Sequence, residues 1–312
     1  QVAERIGVSA RLDYPLPAVF FWRLLQTWLP DAPEPELFDR EALLWRILRQ
    51  LPRHLGDDAF APLGRYLAGD GSDLRLFQLA RRVANLFDQY LVQRPEMVLG
   101  WEAGTDEQWQ ARLWRALGVE SGQVHRARLM ADLAAAMRQG PPIAGRLPER
   151  VCLFGLTALA PVYMDLLGLL AQHLPVHCFY LNPSREYWAD LVDERGQARR
   201  RARASRAGQP DPMGLLDLGN PLLASLGHAG QVFLDQLLEL GGEDHDLFEP
   251  PQADSLLHRV QLDVLDLVDA RKDPQPPAPA DDTSIQLHSV HGPLREIQVL
   301  HDRLLRCFED LP

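Results

Sequence analysis

Side chains that can read nucleic-acid bases are concentrated in one short segment. Residues 85–94 read Asn-Leu-Phe-Asp-Gln-Tyr-Leu-Val-Gln-Arg, with a carboxylate at Asp88, amides around it and a guanidinium at Arg94. These are the chemical groups that form hydrogen bonds with base edges. The segment belongs to a predicted helix that Asp73 caps and that Pro95 ends. An amphipathic helix with a solvated polar face gives the same pattern, so the pattern leaves both interpretations open.

A tryptophan near the N-terminus is the second candidate for contact with a base. Residues 8–14 alternate apolar and polar side chains, which predicts a half-buried strand. The turn Pro15-Leu16-Pro17 follows and opens a helix that carries Trp22. This is the carboxyl edge of the strand, where α/β proteins bind ligands, and stacking on a base would contribute about 1–3 kcal/mol. The competing interpretation is a tryptophan of the hydrophobic core.

The residues of nucleotide hydrolysis are missing where the fold would place them. Residues 151–156 predict a strand, and a helix at 161–172 and a strand at 176–181 follow, as a βαβ unit with a right-handed crossover. In a P-loop motor the first strand would end in Asp-Glu, for Mg²⁺ and for the attacking water, but here Thr157 follows it. The sequence has no glycine-rich phosphate loop and no nucleophile elbow. We therefore expect no catalytic residue and no cofactor.

The sequence pattern predicts no metal site. The ten histidines are scattered, and Cys152, Cys178 and Cys307 stand singly in apolar segments, so the spacing of metal ligands is lacking. We expect the three cysteines to be buried free thiols in a reducing compartment.

Composition is that of a globular protein with an acidic surface. Hydrophobic residues make up 46% and charged residues 24% of the 312 residues, and the formal net charge is −11. This charge argues against a general nucleic-acid coat, but it permits a narrow basic channel because charges are screened within about 8 Å. No apolar run approaches the roughly 20 residues of a membrane span, and no secretory signal is visible. These features predict a cytoplasmic protein without a membrane segment.

The other segments place a helical block inside an α/β protein. Helices are predicted for most of the chain from Pro17 to about Gly140, including one that Asp39 caps. Beyond the βαβ unit we predict helices at 221–240 and 253–270, a Pro-rich linker, a strand at 284–290 and a helix at 293–308.

Six blocks of the sequence resemble those of one protein family and occur in the same order as in that family. They are residues 13–18 (Asp-Tyr-Pro-Leu-Pro-Ala), 76–79 (Leu-Phe-Gln-Leu), 86–92, 155–163, 219–225 and 295–305. Together they resemble the RecC family, the gamma subunits of exodeoxyribonuclease V, over nearly the whole chain. The resemblance implies an α/β fold, a P-loop (superfamily 1) helicase-like core without ATPase motifs, interrupted by an all-helical insertion domain.

The resemblance also implies domain boundaries. Residues 1–17 would begin helicase-like domain 1A, 18–145 would form helical insertion domain 1B, and 146–271 would complete domain 1A. Residues 272–282 would be a linker, and 283–312 would start the second helicase-like domain, 2A. Because the chain begins without Met and ends abruptly, we expect a fragment from the N-terminal region of a longer protein.

The function implied by the resemblance is that of a non-catalytic DNA-binding subunit in double-strand break repair by homologous recombination. Such a subunit of a RecBCD-type helicase/nuclease holds single-stranded DNA in a tunnel and recognises the Chi hotspot. Its partners are RecB-like and RecD-like subunits in a heterotrimer, and duplex-end DNA. Two alternatives stay open. One is an active ATP-dependent helicase–nuclease subunit of AddB type with its P-loop upstream of Gln1, and the other is a scaffold that only holds partners.

The residues implicated in Chi reading can be assigned by the same resemblance. Leu16 and Trp22 match the family's Pro-Leu-Pro leucine and the tryptophan after it, and Arg126 matches an arginine of a His-Arg pair. The helix supplies the others: Asn85, Leu86, Asp88, Gln89 and Arg94. By the resemblance, Asn85 stands where a member of the family carries an aspartate, and an amide donates as well as accepts hydrogen bonds.

Overall fold

The computed structural model is mostly helical with one small parallel sheet, so the predicted α/β class is confirmed at that level, and the helicase-like core stays a prediction. It describes residues 13–33, 39–69, 71–121, 124–142, 147–193, 196, 198, 219–272 and 276–310. The first elements are α1 (Pro17–Trp28), α2 (Arg40–His54), a 3₁₀ turn (Asp58–Phe60), α3 (Ala61–Leu67), α4 (Ser72–Gln93), α5 (Pro95–Glu102), α6 (Trp109–Ser121) and α7 (Arg126–Gln139). They are followed by β1 (Val151–Phe154), α8 (Pro161–Leu170), β2 (Val176–Phe179), α9 (Pro221–Leu226), α10 (His228–Leu240), α11 (Leu256–Leu265) and α12 (Pro293–Asp310).

Local sequence signals set most helix ends. Pro17 occupies the first turn of α1, where its missing N–H is not needed, and the Asp39 side chain accepts a 2.7 Å hydrogen bond from the Ala42 N–H to cap α2. The prediction that Asp73 caps α4 was wrong. Gly71 is the cap, with a φ of 76° in the left-handed region, and this allows the helix to begin before Asp73. Asp73 instead lies in the first turn, where a negative charge is favourable.

A hydrophobic cluster joins the helices from α2 to α6. Leu43 and Ile47 of α2 pack with Phe87 and Leu91 of α4, and all four side chains are inaccessible or nearly so. Trp114 of α6 meets the Phe87 ring edge-on, with 5.4 Å between ring centroids. Burial of side chains of this size contributes about 1.5–3 kcal/mol each, so this cluster fixes the orientation of α4.

A second cluster joins α1, α7 and α8 to the sheet. Its buried members include Phe21 and Leu25 of α1, Leu133 of α7 and Leu167 of α8, and Phe233 of α10 completes it. This cluster fixes α1 and α7 against the βαβ unit.

The parallel pairing of the two predicted strands is confirmed. Val151 lies opposite Val176, and the register continues to Phe154 opposite Phe179. Val151, Leu153 and Val176 pack against the second cluster, whereas Phe154 and Phe179 are exposed on the other face. The two strands therefore bury one face of the sheet.

The sequence prediction of buried cysteines was wrong, since all three thiols are exposed. Cys152 lies on the sheet face that Phe154 occupies, and Cys307 lies on α12, whose apolar residues are themselves exposed. An apolar sequence neighbourhood therefore did not imply burial of these thiols.

Two segment predictions need correction, and one cannot be checked. Residues 284–290 were predicted as a strand but are irregular, because a strand needs a paired backbone and no other described segment pairs with them. The helix predicted at 221–240 is interrupted at Gly227, where a Cβ would lie 2.5 Å from the Leu223 carbonyl oxygen. Residues 8–12 of the first predicted strand lie outside the described residues.

The chain divides into two compact units. The described residues up to Leu181, together with Phe233–Gly242, form the first unit, and those of Asn182–Val232 and Glu243–Pro312 form the second. All residues assigned to DNA by the resemblance lie in the first. Among the described residues, no helix combines the length and the apolarity needed to cross a bilayer.

Buried polar side chains connect the segments of the second unit. The Asn220 side chain caps α9 and donates a 3.0 Å hydrogen bond to the Val268 carbonyl. The Ser184 hydroxyl donates to the Leu265 carbonyl at 2.8 Å, and the Trp188 indole N–H donates to the Asn182 amide oxygen at 2.8 Å. These bonds satisfy groups that would be costly to bury unpaired.

Candidate nucleic-acid interface

Helix α4 presents different chemistry on its two faces. Ala80, Val83, Phe87 and Leu91 are buried in the first cluster. The residues assigned to the DNA strand lie on the remaining surface, where Gln89 is exposed and Asn85, Leu86 and Asp88 are half-buried. The 3.6-residue period of the helix separates the two sets, so packing of the apolar face directs the polar face outwards.

The structure brings together two of the assigned residues from different helices. A guanidinium nitrogen of Arg126, at the start of α7, lies 4.0 Å from a carboxylate oxygen of Asp88 on α4. Their side chains are 39% and 35% exposed. An ion pair of this length and exposure contributes little to stability, so both groups are available to a ligand at small cost. A donor and an acceptor for base edges thus stand side by side.

The residue before Arg126 is held far more firmly. His125 is 3% exposed and caps α7, because its Nδ1 accepts a 3.3 Å hydrogen bond from the Arg128 N–H. Its Nε2 then carries the proton and is hydrogen-bonded to the Glu102 carboxylate, which also receives bonds from Arg128 at 3.0 Å and from the Trp114 indole at 3.4 Å. This network fixes the backbone from which Arg126 projects.

Charge and hydrogen bonding in this network shift the acidity of Glu102. Partial burial, the largest single influence, raises the pKa of this carboxyl. The hydrogen bonds from His125, Arg128 and Trp114 outweigh burial and hold the pKa of Glu102 below its ordinary value. Glu102 is therefore ionised at neutral pH and serves as the anion of the network.

Tyr163 of α8 is an aromatic residue whose environment no sequence pattern predicts. Its ring stacks on Phe21 of α1, with 4.3 Å between centroids and 13° between planes. Burial raises the pKa of the Tyr163 phenol, and the positive charge of Arg126 opposes this shift. The proximity of α1, α7 and α8 brings Tyr163 here, and no local sequence pattern carries that information.

Arg94 lies at the junction of α4 and α5. Its φ of −142° and ψ of 52° end α4, because the residue before a proline disfavours helical geometry. The guanidinium carbon lies 6.0 Å from the centroid of the Tyr90 ring, at the outer limit of a cation–π contact. Tyr90 is in turn edge-on to Trp101 at 5.7 Å. Arg94 itself is exposed, which suits contact with a phosphate or a base.

Leu16 lies in the turn before α1, and Trp22 lies on α1 itself. Leu16 is 74% exposed just before the helix begins. Trp22 is half-buried and packs against the second cluster, so the competing interpretation as a core residue holds for part of its ring. Phe21 connects the same helix to Tyr163.

The amide oxygen of Asn85 accepts no hydrogen bond from the described residues. This oxygen is also inaccessible to solvent. An unmade hydrogen bond of this kind costs about 1–3 kcal/mol.

Comparison with known proteins identifies the family. A family model described as RecC, N-terminal domain matches residues 1–267. The chain belongs to the RecC family. Three relatives carry the name RecBCD enzyme subunit RecC. The protein of Escherichia coli (strain K12) is 34% identical over 352 residues, covering 100% of this chain and 31% of the relative.

The other two relatives lead to the same family. The Haemophilus influenzae protein is 31% identical over 375 residues, with 100% of this chain and 33% of the relative covered. The Mycolicibacterium smegmatis protein is 29% identical over 324 residues, with 100% and 28% covered. The chain thus spans about a third of the length of these RecC proteins.

Proposed function

We propose that this chain is the N-terminal part of a DNA-binding subunit that holds a single strand inside a RecBCD-type helicase/nuclease and reads the Chi hotspot in it. Membership of the RecC family supports a role in DNA repair and recombination. The observation that carries the assignment to this site is the Asp88–Arg126 pair, a half-exposed acceptor and donor on two rigidly packed helices.

The neighbouring residues suit an unpaired strand. Arg94 and Gln89 add an exposed cation and an exposed amide at the end of the same helix. Trp22 and Leu16 supply apolar surface on α1, and aromatic contacts to bases contribute about 1–3 kcal/mol each. Hydrogen-bonding groups would confer sequence preference, while stacking would bind any base.

Within this proposal the chain catalyses nothing itself. β1 ends at Phe154 and is followed by Gly155, with a φ of 71°, then Leu156 and Thr157. A P-loop motor would place carboxylates at that end of the strand. The proposal therefore gives the chain a helicase-like core without ATPase motifs, with domain 1A at 1–17 and 146–271. The helical insertion domain 1B occupies 18–145 and domain 2A starts after 272–282. RecB-like and RecD-like subunits would drive the strand through this core in the cytoplasm.

Substitution of two assigned residues tests the proposal in the assembled complex of full-length subunits. Arg94→Ala and Trp22→Ala should each abolish or strongly reduce the change in nuclease cutting at Chi, because each removes a contact to the strand. Arg65→Ala and Trp45→Ala are matched controls, since both residues are exposed on other helices. Chi recognition that is unchanged in both test variants would overturn the assignment. ATP hydrolysis by the full-length subunit alone would support the AddB-type alternative instead.

A further inference from the structure

A pair of adjacent arginines extends the exposed face of α4 towards its N-terminal end. Arg81 and Arg82 are both exposed, and neither is among the residues to which the resemblance assigns a role. Gln78, Arg82, Asn85 and Gln89 follow one another at spacings of four, three and four residues. This spacing places them in one stripe along the helix, and Arg81 lies four residues before Asn85. Both arginines therefore lie beside residues assigned to the DNA strand.

No described residue pairs with the positive charge of Arg81 or Arg82. Residues 77–86 contain no Asp or Glu, so the helix offers no carboxylate one turn away from either arginine. Among the described residues no ion pair or hydrogen bond satisfies their guanidinium groups. In a chain with a formal charge of −11, these two arginines, which have no ion pair among the described residues, make a local cationic patch.

We propose that Arg81 and Arg82 bind the phosphates of the single strand whose bases are read further along α4. This inference rests on the proposed function and extends it from base contacts to backbone contacts. Seven residues separate Arg82 from Gln89, about 10 Å along the helix axis. A strand that contacts Gln89 therefore reaches the arginines without leaving the helix.

Loss of a phosphate contact and loss of a base contact have different effects on measured binding. A guanidinium forms bidentate hydrogen bonds with phosphate oxygens and releases condensed counterions. Loss of such a contact weakens binding to every sequence equally, whereas loss of a base contact changes the preference between sequences. For single strands each phosphate contributes about −0.7 to the slope of the logarithm of affinity against the logarithm of salt concentration.

The test uses the full-length subunit assembled with its partners, without ATP, and a forked DNA with fluorescein-labelled oligothymidylate tails. The double variant Arg81→Gln/Arg82→Gln should make the salt slope shallower by about 1.4, the value for two phosphates. Between 50 and 200 mM salt the unmodified complex should then lose about seven-fold more affinity than the variant. Arg81→Lys/Arg82→Lys, which keeps both charges, should restore the slope.

Controls separate a direct contact from general electrostatics and from misfolding. Arg53→Gln/Arg65→Gln removes the same charge from exposed positions on α2 and α3 and should leave the slope unchanged. Glutamine is a good helix former, so the thermal midpoint of the test variant should equal that of the parent. An equal change of slope in the control pair, or no change in the test pair, overturns the inference.

The outcome is also distinguishable from failure of the proposed function. If Arg94→Ala and Trp22→Ala impair Chi recognition while the arginine pair leaves the slope unchanged, the strand passes the site without touching α4 at Arg81 and Arg82. If none of these substitutions has an effect, the proposed strand path itself is wrong. A changed slope with an unchanged ratio of Chi to non-Chi affinity supports phosphate binding.

Discussion

The two faces of α4 differ in how completely their side chains are satisfied. On the inner face, Phe87 and Leu91 are buried against several aromatic and aliphatic partners. On the outer face, Arg81 and Arg82 are without an ion pair among the described residues, and Asp88 has a single long one. Packing of the inner face fixes the position of the helix. The polar groups of the outer face remain available to bind a ligand. A surface that binds a moving strand needs both properties.

The same contrast recurs between two consecutive residues. His125 is buried and hydrogen-bonded on both ring nitrogens. Arg126 projects from the same turn, and its one ion pair among the described residues is the 4.0 Å contact to Asp88. The hydrogen bonds of His125 fix the backbone from which Arg126 projects. Substitutions on the two sides of this contrast should therefore affect different measurements.

The largest effect is expected from the inner face of α4. Phe87→Ala should lower the free energy of unfolding by about 3–5 kcal/mol, because it leaves a cavity in the first cluster. Phe77→Ala on the same helix is the matched control. Phe77 is 36% exposed, so the loss should be smaller, about 1–2 kcal/mol. Urea denaturation followed by circular dichroism measures both, and equal losses would contradict the assigned faces.

An intermediate effect is expected from the network that holds His125. Glu102→Gln should destabilise the chain by about 1–3 kcal/mol, since it leaves buried donors with a weaker acceptor. Asp88→Asn removes the same charge from the outer face and should change stability by about 0.5 kcal/mol or less. The same denaturation experiment compares them. A larger loss of stability for Asp88→Asn would mean that the Asp88–Arg126 pair, rather than the His125–Glu102 pair, stabilises the fold.

The smallest effect concerns pH. Because the pKa of Glu102 is lower in the folded chain than its ordinary 4.5, the folded state binds a proton less readily than the unfolded state. Its contribution to stability is therefore complete above pH 4.5 and is lost as pH falls through the lower folded value. Stability of the parent chain should fall more steeply below pH 4.5 than that of Glu102→Gln. Parallel curves for the two proteins would show that the network does not depress this pKa.

Local structure could be predicted wherever single residues dictate it. The Asp39 cap, the proline at the start of α1 and the end of α4 before Pro95 each follow from backbone chemistry within a few residues. The parallel strands also followed from short apolar runs separated by one helix. The strand predicted at 284–290 was wrong because alternation of side chains does not supply a pairing partner.

The candidate site could be predicted only in part for the same reason. The polar face of α4 could be predicted from the spacing of its polar residues. The Asp88–Arg126 ion pair could not, because it joins residues 38 positions apart in the sequence. The hydrogen bond between His125 and Glu102 and the stacking of Tyr163 on Phe21 likewise depend on how helices pack. Such contacts are tertiary, and no local pattern encodes them.

The central claim, that a DNA strand passes over the outer face of α4, is tested most directly by site-specific crosslinking. Gln89→Cys, labelled with a photoactivatable azidophenacyl group, is compared with Arg53→Cys on α2 in the assembled full-length complex during translocation. Both variants carry Ser in place of the exposed Cys152, Cys178 and Cys307, so that the label is confined to the introduced thiol. The account predicts a crosslink to the unwound strand from position 89 and none from position 53. An active complex that gives no crosslink at position 89, or equal crosslinks at both positions, would contradict it.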